Sequence, residues 1–297
     1  MDDKVIIGIV TVLYNSSKVL DEYFESLEKQ DFKNIILFIV DNKSTDDSLE
    51  KAKKLSKNVS FECVFIENDE NFGVAKGNNQ GVVKAKERNC DYILLSNNDV
   101  VLKKDTISIL YRTLCDKSLD MIVPKILFYK SNLINQVSGK FNLCKASTTN
   151  FGYGKKDNGF FDKVGPVKYA TTCFMLMRTA LFDEVGMFDE KYFVYYDDSD
   201  FVWRALKMGK SLWIDTNSIL EHKESYCTGG AKSDFSVYYV HRNMIYFVYK
   251  CYPFIYRNIS ILYQLIRCLI KYYPNKRTRK LVRKAFSDGF TMVKEIK

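Results

Sequence analysis

The stretch Val5-Ile6-Ile7-Gly8-Ile9-Val10-Thr11-Val12-Leu13 is an almost unbroken apolar run rich in Val and Ile. Such a run reads as a strand buried on both faces, the pattern of parallel sheets covered by helices. Working outward, Val19, Leu20, Tyr23, Phe24 and Leu27 share one helical face, and Ile35–Val40 is a second apolar run. Thr45 or Asp46 can cap the next helix, which carries Leu49, Ala52 and Leu55. Phe61–Ile66 alternates as a third strand. The loop from Asn71 to Asn79 runs into a helix, and Tyr92–Leu95 is a fourth strand. These repeats predict an α/β fold with a doubly wound, mostly parallel central sheet. Ligands of such sheets lie beyond the carboxyl ends of the strands. The polar clusters Tyr14-Asn15, Asp41-Asn42 and Asn97-Asn98-Asp99 all fall at those ends.

The length of 297 residues suits one large α/β domain with an appendage. With 46% hydrophobic residues, 27% charged residues and only 4 Pro, the chain is neither disordered nor collagen-like. No G-x-G-x-x-G follows the first strand and no G-x-x-x-x-G-K-[ST] occurs, which disfavours ordinary dinucleotide and P-loop binding. The 8 cysteines include no C-x-x-C pair, so buried free thiols are expected rather than a zinc ribbon or a disulfide scaffold. Met1-Asp2-Asp3-Lys4 lacks the basic start of a signal peptide, and a reducing, cytoplasmic setting is expected.

The net charge of +9 is concentrated at one end. Residues 240–297 hold 13 Lys and Arg against 2 Asp and Glu. In that segment Ile259, Leu262, Leu265, Ile266, Leu269 and Ile270 recur at helical spacing, before the basic run Lys276-Arg277-Thr278-Arg279-Lys280. Two readings stand. The segment docks on an anionic membrane surface, where each Lys or Arg contributes about 1 kcal/mol, or it is a helical cap with a solvated basic face. No recognised motif accompanies the charge, so nucleic acid is not an expected partner.

The motifs Val10–Asn15, Val40–Asp46, Asn71-Phe72-Gly73 with Gly77-Asn78-Asn79, and Asn97-Asn98-Asp99 form an ordered series. It continues through Gly186–Glu190, Asp197-Asp198-Ser199-Asp200 with Arg204, and His222, and closes at Arg242-Asn243 with Tyr246 and Lys250. This series resembles the family-2 inverting glycosyltransferases of the GT-A fold, and within them the rhamnosyltransferase-like branch of bacterial polysaccharide enzymes. The resemblance implies a GT-A domain over residues 1–240, with a nucleotide-binding half about 1–115 and an acceptor-side half about 116–240. A basic helical segment, 241–297, would follow.

The resemblance also implies roles. Asp99 would bind a divalent cation, Mg²⁺ or Mn²⁺, in a D-x-D variant whose preceding positions are Asn97 and Asn98, with His222 completing the metal site or contacting the diphosphate. Asp198 would be the general base of an inverting transfer, with Asp197 in place of the family's usual glutamate. Tyr14 and Asp41 match nucleobase contacts. Thr11, Asn71, Gly73, Lys76, Asn78 and Asn98 complete the nucleotide-sugar set.

Each assignment has a bland alternative. Asp99 caps the helix over Thr106–Leu114, His222 is structural, the three acids decorate a helix N-terminus, and Gly73 serves a turn. Asp200 and Arg204, four apart, suit a supporting ion pair. His241, Trp203 and Trp213 are expected to be structural. The region 130–165 has weak periodicity and is expected to be an acceptor-side loop.

The function expected from the resemblance is transfer of a sugar onto a lipid-linked saccharide or polysaccharide at the cytoplasmic membrane face. The donor would be dTDP- or UDP-linked, with dTDP-rhamnose the first choice, and an oligomer is compatible. The alternatives are an inactive glycan-binding scaffold on the same fold, and a nucleotidyltransferase.

Overall fold

The computed structural model describes residues 5–223 and 233–296. The four apolar runs become β1 (Ile7–Leu13), β2 (Ile35–Asp41), β3 (Glu62–Glu67) and β4 (Tyr92–Ser96), paired in parallel in the order β3-β2-β1-β4. The connecting helices are α1 (Leu20–Glu28), α2 (Ser48–Leu55) and α3 (Gly73–Glu87). Then come β5 (Val100–Leu102), α4 (Thr106–Asp116), β6 (Met121–Phe128), β7 (Ile134–Gln136), β8 (Ser138–Asn142), β9 (Ser147–Phe151), β10 (Val164–Pro166) and β11 (Phe174–Arg178). The chain continues through α5 (Leu181–Val185), α6 (Asp197–Lys207), β12 (Leu212–His222), α7 (Asp234–Cys251), α8 (Phe254–Tyr272) and α9 (Lys276–Val293).

The second half makes the sheet mixed. β11 lies between β4 and β6 and runs antiparallel to both, while β12 is parallel to β6. Both faces are buried with the strand period of two. Along β2, Ile35, Leu37 and Ile39 enter one core, and Ile36 and Phe38 enter the other. Residues of α1, α2 and α4, such as Leu20, Ala52 and Leu110, cover the first. Residues of α3, α5 and α6, such as Val82, Phe182 and Phe201, cover the second. Each buried large apolar side chain of this kind contributes about 1.5–3 kcal/mol.

Residues 130–165, expected as a loop region, contain strands. β8 and β9 form an antiparallel hairpin, joined by a turn in which Ala146 has φ of 46°. Its Ser, Thr and Asn residues pair through the backbone, so their polarity hides the strands from an apolar-period reading. The segment beyond is tied down by buried Lys125 on β6, which meets Asp157 at 2.8 Å and Asp162 at 2.7 Å.

A third apolar core joins the last three helices, with Met244 and Phe247 of α7, Cys268 of α8 and Phe286 of α9. Gly289 of α9 packs so close to α7 that a Cβ there would stand 2.6 Å from the Arg242 carbonyl oxygen. Among the described residues no helix is long and apolar enough to cross a membrane. The described cysteines are all free, but Cys115 and Cys144 are exposed rather than buried, Cys115 on the outer face of α4 and Cys144 in the turn between β8 and β9. Cys227 and Met1–Lys4 lie outside the described residues.

Candidate active site

The sheet order reverses at β1, between β2 and β4, and the polar clusters sit at the carboxyl ends on either side. Tyr14 follows β1 and is partly exposed. Asp41 ends β2; its carboxylate accepts from the Ser44 hydroxyl at 2.6 Å and the Ser44 backbone N–H at 3.0 Å. Thr11 is buried within β1, beneath the surface. Asn98 is also buried and donates to the Val12 carbonyl at 2.8 Å, which joins the end of β4 to β1.

Asp99 does not cap the following helix; Asp105 occupies the position before α4. Its Oδ1 lies 3.0 Å from His222 Nε2 instead. The reason is strand pairing. β12 shifts register between Asp215 and Ile219, after which His222 stands opposite Val100 of β5. His222 Nδ1 is buried without a well-aligned hydrogen-bond partner. Burial opposes a charged imidazole here, yet the neighbouring Cys173 sulfur and the Asp99 carboxylate outweigh it and raise the His222 pKa.

At the start of α3, Asn71 Oδ1 accepts from the Gly73 N–H at 2.9 Å, and Lys76 Nζ lies 3.5 Å from the centre of the Phe72 ring. Asn78 is buried on the same helix. Gly73 is more than turn chemistry. Its φ is +83°, and a Cβ would stand 2.3 Å from the Phe193 carbonyl oxygen. That oxygen accepts from the Val74 N–H at 2.6 Å, so α3 touches the loop that leads to the acid cluster.

That loop is unusual. Phe193, Tyr195 and Tyr196 all have positive φ, between 58° and 67°, immediately before Asp197. Left-handed backbone at bulky residues costs energy and persists where surroundings enforce it. Here α7 does so. Fully buried Asn243 donates to the carbonyls of Tyr192 at 2.8 Å, Val194 at 2.7 Å and Tyr195 at 2.9 Å. Arg242 adds a bond to the Lys191 carbonyl at 3.0 Å.

The acids then divide by environment. Asp200 is fully buried and pairs with Arg204 at 2.8 Å and Lys250 at 2.9 Å, the supporting role the spacing predicts. Asp198 is partly exposed. Its Oδ2 accepts from the Tyr169 hydroxyl at 3.0 Å and its Oδ1 from the Ser199 N–H at 2.6 Å. Asp197 is buried. Burial raises both carboxyl pKa values; the Asp198 charge adds to the rise at Asp197, while the Tyr169 and Ser199 bonds oppose it at Asp198. A carboxylate held at both oxygens, yet still open to a ligand, can accept a proton from a hydroxyl.

The model of glycosyl transferase family 2 matches residues 8–186. The chain belongs to that family. It is a glycosyltransferase. The chain is 26% identical over 224 residues to glycosyltransferase GlyG of Streptococcus pneumoniae, covering 74% of this chain and 71% of GlyG. It is 26% identical over 149 residues to the low-salt glycan biosynthesis hexosyltransferase Agl10 of Haloferax volcanii, spanning 45% of that protein. Among solved structures, TarS 1–349 of S. aureus in complex with UDP-GlcNAc superposes with a TM-score of 0.64 at 17% identity, covering 97% of this chain and 82% of that one. The chain spans 44% of a longer TarS structure. The mannosyltransferase PcManGT of Pyrobaculum calidifontis, solved with GDP-Man and Mn²⁺, superposes with a TM-score of 0.57 at 13% identity, covering 96% of this chain and 75% of that one. These likenesses establish the GT-A fold of the family-2 chain.

Sequence reasoning did not find Tyr169 and Ser199 as partners of Asp198, nor the clamp formed by Asn243. Asn243 and Arg242 were visible only as motif letters. His241 is structural, as expected, with Nδ1 2.7 Å from the Val237 carbonyl. Trp203 packs edge-on against Phe141 and beside Tyr252. Trp213 packs partly buried against the first core.

Proposed function

We propose that the chain is an inverting transferase that moves a sugar from a nucleoside-diphosphate donor to a saccharide hydroxyl, with Asp198 as general base. The observation that carries this reading is the Asp198 carboxylate, fixed by Tyr169 and Ser199 at the start of α6 and partly open to solvent. The acceptor oxygen attacks the anomeric carbon, the bond to the diphosphate breaks, and the hydroxyl proton passes to Asp198. Asp197 is a buried neighbour that tunes the base. Tyr14, Asp41, Thr11, Asn71, Gly73, Lys76, Asn78 and Asn98 are assigned to the donor side.

Asp99 and His222 supply one oxygen and one nitrogen ligand in contact with each other. Among the described residues no group of three or more His, Cys, Asp or Glu could hold an ion. The pair therefore fits a cation whose remaining ligands come from the donor. Mg²⁺ or Mn²⁺ bound there would neutralise the departing diphosphate. His222 would offer its nitrogen as the neutral imidazole, giving up the proton it shares with Asp99.

dTDP-rhamnose is the donor we favour, from the Asn97-Asn98-Asp99 resemblance, and a UDP-hexose comes next. Similar proteins bound to UDP-GlcNAc and GDP-Man support a nucleotide-sugar donor in general. A lipid-linked saccharide is the proposed acceptor, met at the cytoplasmic face of the membrane through the basic segment 241–297. Residues 1–240 are the proposed catalytic domain.

The test is a thermal-shift panel of nucleoside diphosphates, with and without Mn²⁺ or Mg²⁺, on wild type and Asp99→Ala. Metal-dependent stabilisation by UDP or dTDP that the variant lacks is the expected result. No shift with any nucleotide would turn the reading toward a saccharide-binding protein.

A further inference from the structure

The C-terminal helices carry an amphipathic surface arranged the wrong way round for a buried element. α8 turns Ser260, Ile261, Gln264 and Cys268 inward. The polar pair is satisfied there: Ser260 donates to the Arg257 carbonyl at 3.0 Å and Gln264 donates to the Lys145 carbonyl. The opposite face carries Ile255, Ile259, Leu262, Ile266 and Ile270, with Ile255 69% and Ile270 74% exposed. This stripe runs the length of a 19-residue helix, about 28 Å. A contiguous exposed apolar face of that extent marks an interaction site.

Basic residues rim it on both sides. Arg267 and Lys271 stand beside Ile266 and Ile270. On the other flank a groove of about 200 Å³ between α8 and α9 has Leu269 and Phe286 in its walls and Arg279 and Arg283 at its edge. The two acids of residues 240–296 are engaged elsewhere, Asp288 with the Tyr238 hydroxyl at 2.6 Å and Glu295 with Lys191 at 3.0 Å.

We propose that α8 lies in the plane of an anionic lipid bilayer, its apolar face sunk among the acyl chains and its flanking Arg and Lys at the phosphates. The charge selects this occupant. A second copy of the chain would bring one strongly basic rim against another, whereas anionic headgroups complement it. The inference rests on the membrane-facing reading above and deepens it. Attachment is by hydrophobic insertion of α8 and not by the basic run of α9 alone. Binding that were only electrostatic would vanish in high salt, while an inserted helix keeps its buried apolar area.

The experiment is flotation of the full chain with phosphatidylcholine–phosphatidylglycerol vesicles and with pure phosphatidylcholine vesicles, at low salt and at about 1 M salt. The comparison is a variant with Leu262→Glu, Ile266→Glu and Ile270→Glu, all exposed positions. Wild type is expected to float with the anionic vesicles, to retain measurable binding in high salt and to bind pure phosphatidylcholine less. The variant is expected to lose at least about tenfold in binding while keeping the wild-type melting temperature and its shift with nucleoside diphosphates. Equal flotation of variant and wild type would overturn the proposal, as would complete loss of wild-type binding at high salt. A wild-type dimer that the variant converts to monomer, with vesicle binding unchanged, would assign the face to a second copy. Should the triple variant melt early, Ile270→Trp replaces it: a blue shift of its emission on anionic vesicles supports insertion, and none refutes it. A nucleotide shift that persists while flotation fails would sink the membrane proposal and leave the transferase reading standing.

Discussion

The Asn243 side-chain amide on α7 donates to the Tyr195 carbonyl at 2.9 Å, two residues before the acid cluster of α6. With the bonds to Tyr192 and Val194 it holds a turn whose backbone is left-handed at three bulky residues. Asn243→Ala is expected to cost about 2–4 kcal/mol of stability, because it orphans buried carbonyls and releases a strained turn. It should lower kcat while nucleoside-diphosphate affinity stays within about twofold, the split expected of a positioning residue. Equal losses in both would make Asn243 merely structural.

Tyr169 and Asp198 form the second testable pair. Asp198→Asn should reduce transfer at least about a hundredfold with donor binding retained. Tyr169→Phe removes a hydrogen bond donated to the ionised carboxylate, and so raises the Asp198 pKa further. The acidic limb of kcat/KM against pH is then expected to move to higher pH. An unmoved limb would separate Tyr169 from the base.

Asp197 gives a prediction about stability rather than rate. Burial and the neighbouring Asp198 raise its pKa, so the folded state keeps a proton that the unfolded chain releases near pH 4. The associated stability is greatest below that value and is lost as pH rises through the folded pKa. Asp197→Asn has no proton to lose. Relative to wild type it is expected to gain stability between about pH 5 and pH 8 in urea unfolding. A difference that stays constant across that range would contradict the assignment.

Gly73→Ala tests the contact between α3 and the Phe193 loop. A Cβ at φ +83° is strained and meets the Phe193 carbonyl oxygen and Cα. We expect a loss of about 1–3 kcal/mol, with a fall in transfer beyond the loss of fold, read by comparing specific activity of the folded fraction. An alanine variant with wild-type melting and activity would show that the loop can retreat.

The parallel half of the sheet was legible because Ile7–Leu13 and Ile35–Val40 are almost continuously apolar, the pattern of strands buried on both faces. The Asp200–Arg204 pair followed from helical spacing. The direction of β11 was not legible: Phe174–Arg178 is as apolar as a parallel strand, and its partners are set by chain reversal. Nor was the Asn243 clamp, since an amide in a Tyr-rich helix carries no mark of which distant carbonyls it reaches. For α8 the period disclosed an apolar stripe, but periodicity cannot say whether a stripe looks inward or outward. Asp99 and His222 were joined by motif order, and their contact depends on a register shift in β12 that no local pattern encodes.

The packing of Gly289 against the Arg242 carbonyl ties α9 to the residue next to Asn243, and so bears on the order in which the site is assembled. In chain order Asp198 precedes α7, and α7 precedes α9, so the acid cluster is made before the elements that brace it. α9 backs the same helix from which Asn243 reaches the turn, in a core shared with α8. The turn before Asp197 gains its three Asn243 bonds only once α7 has been made, so the acid cluster reaches its braced form later than the strands and helices before it in the chain.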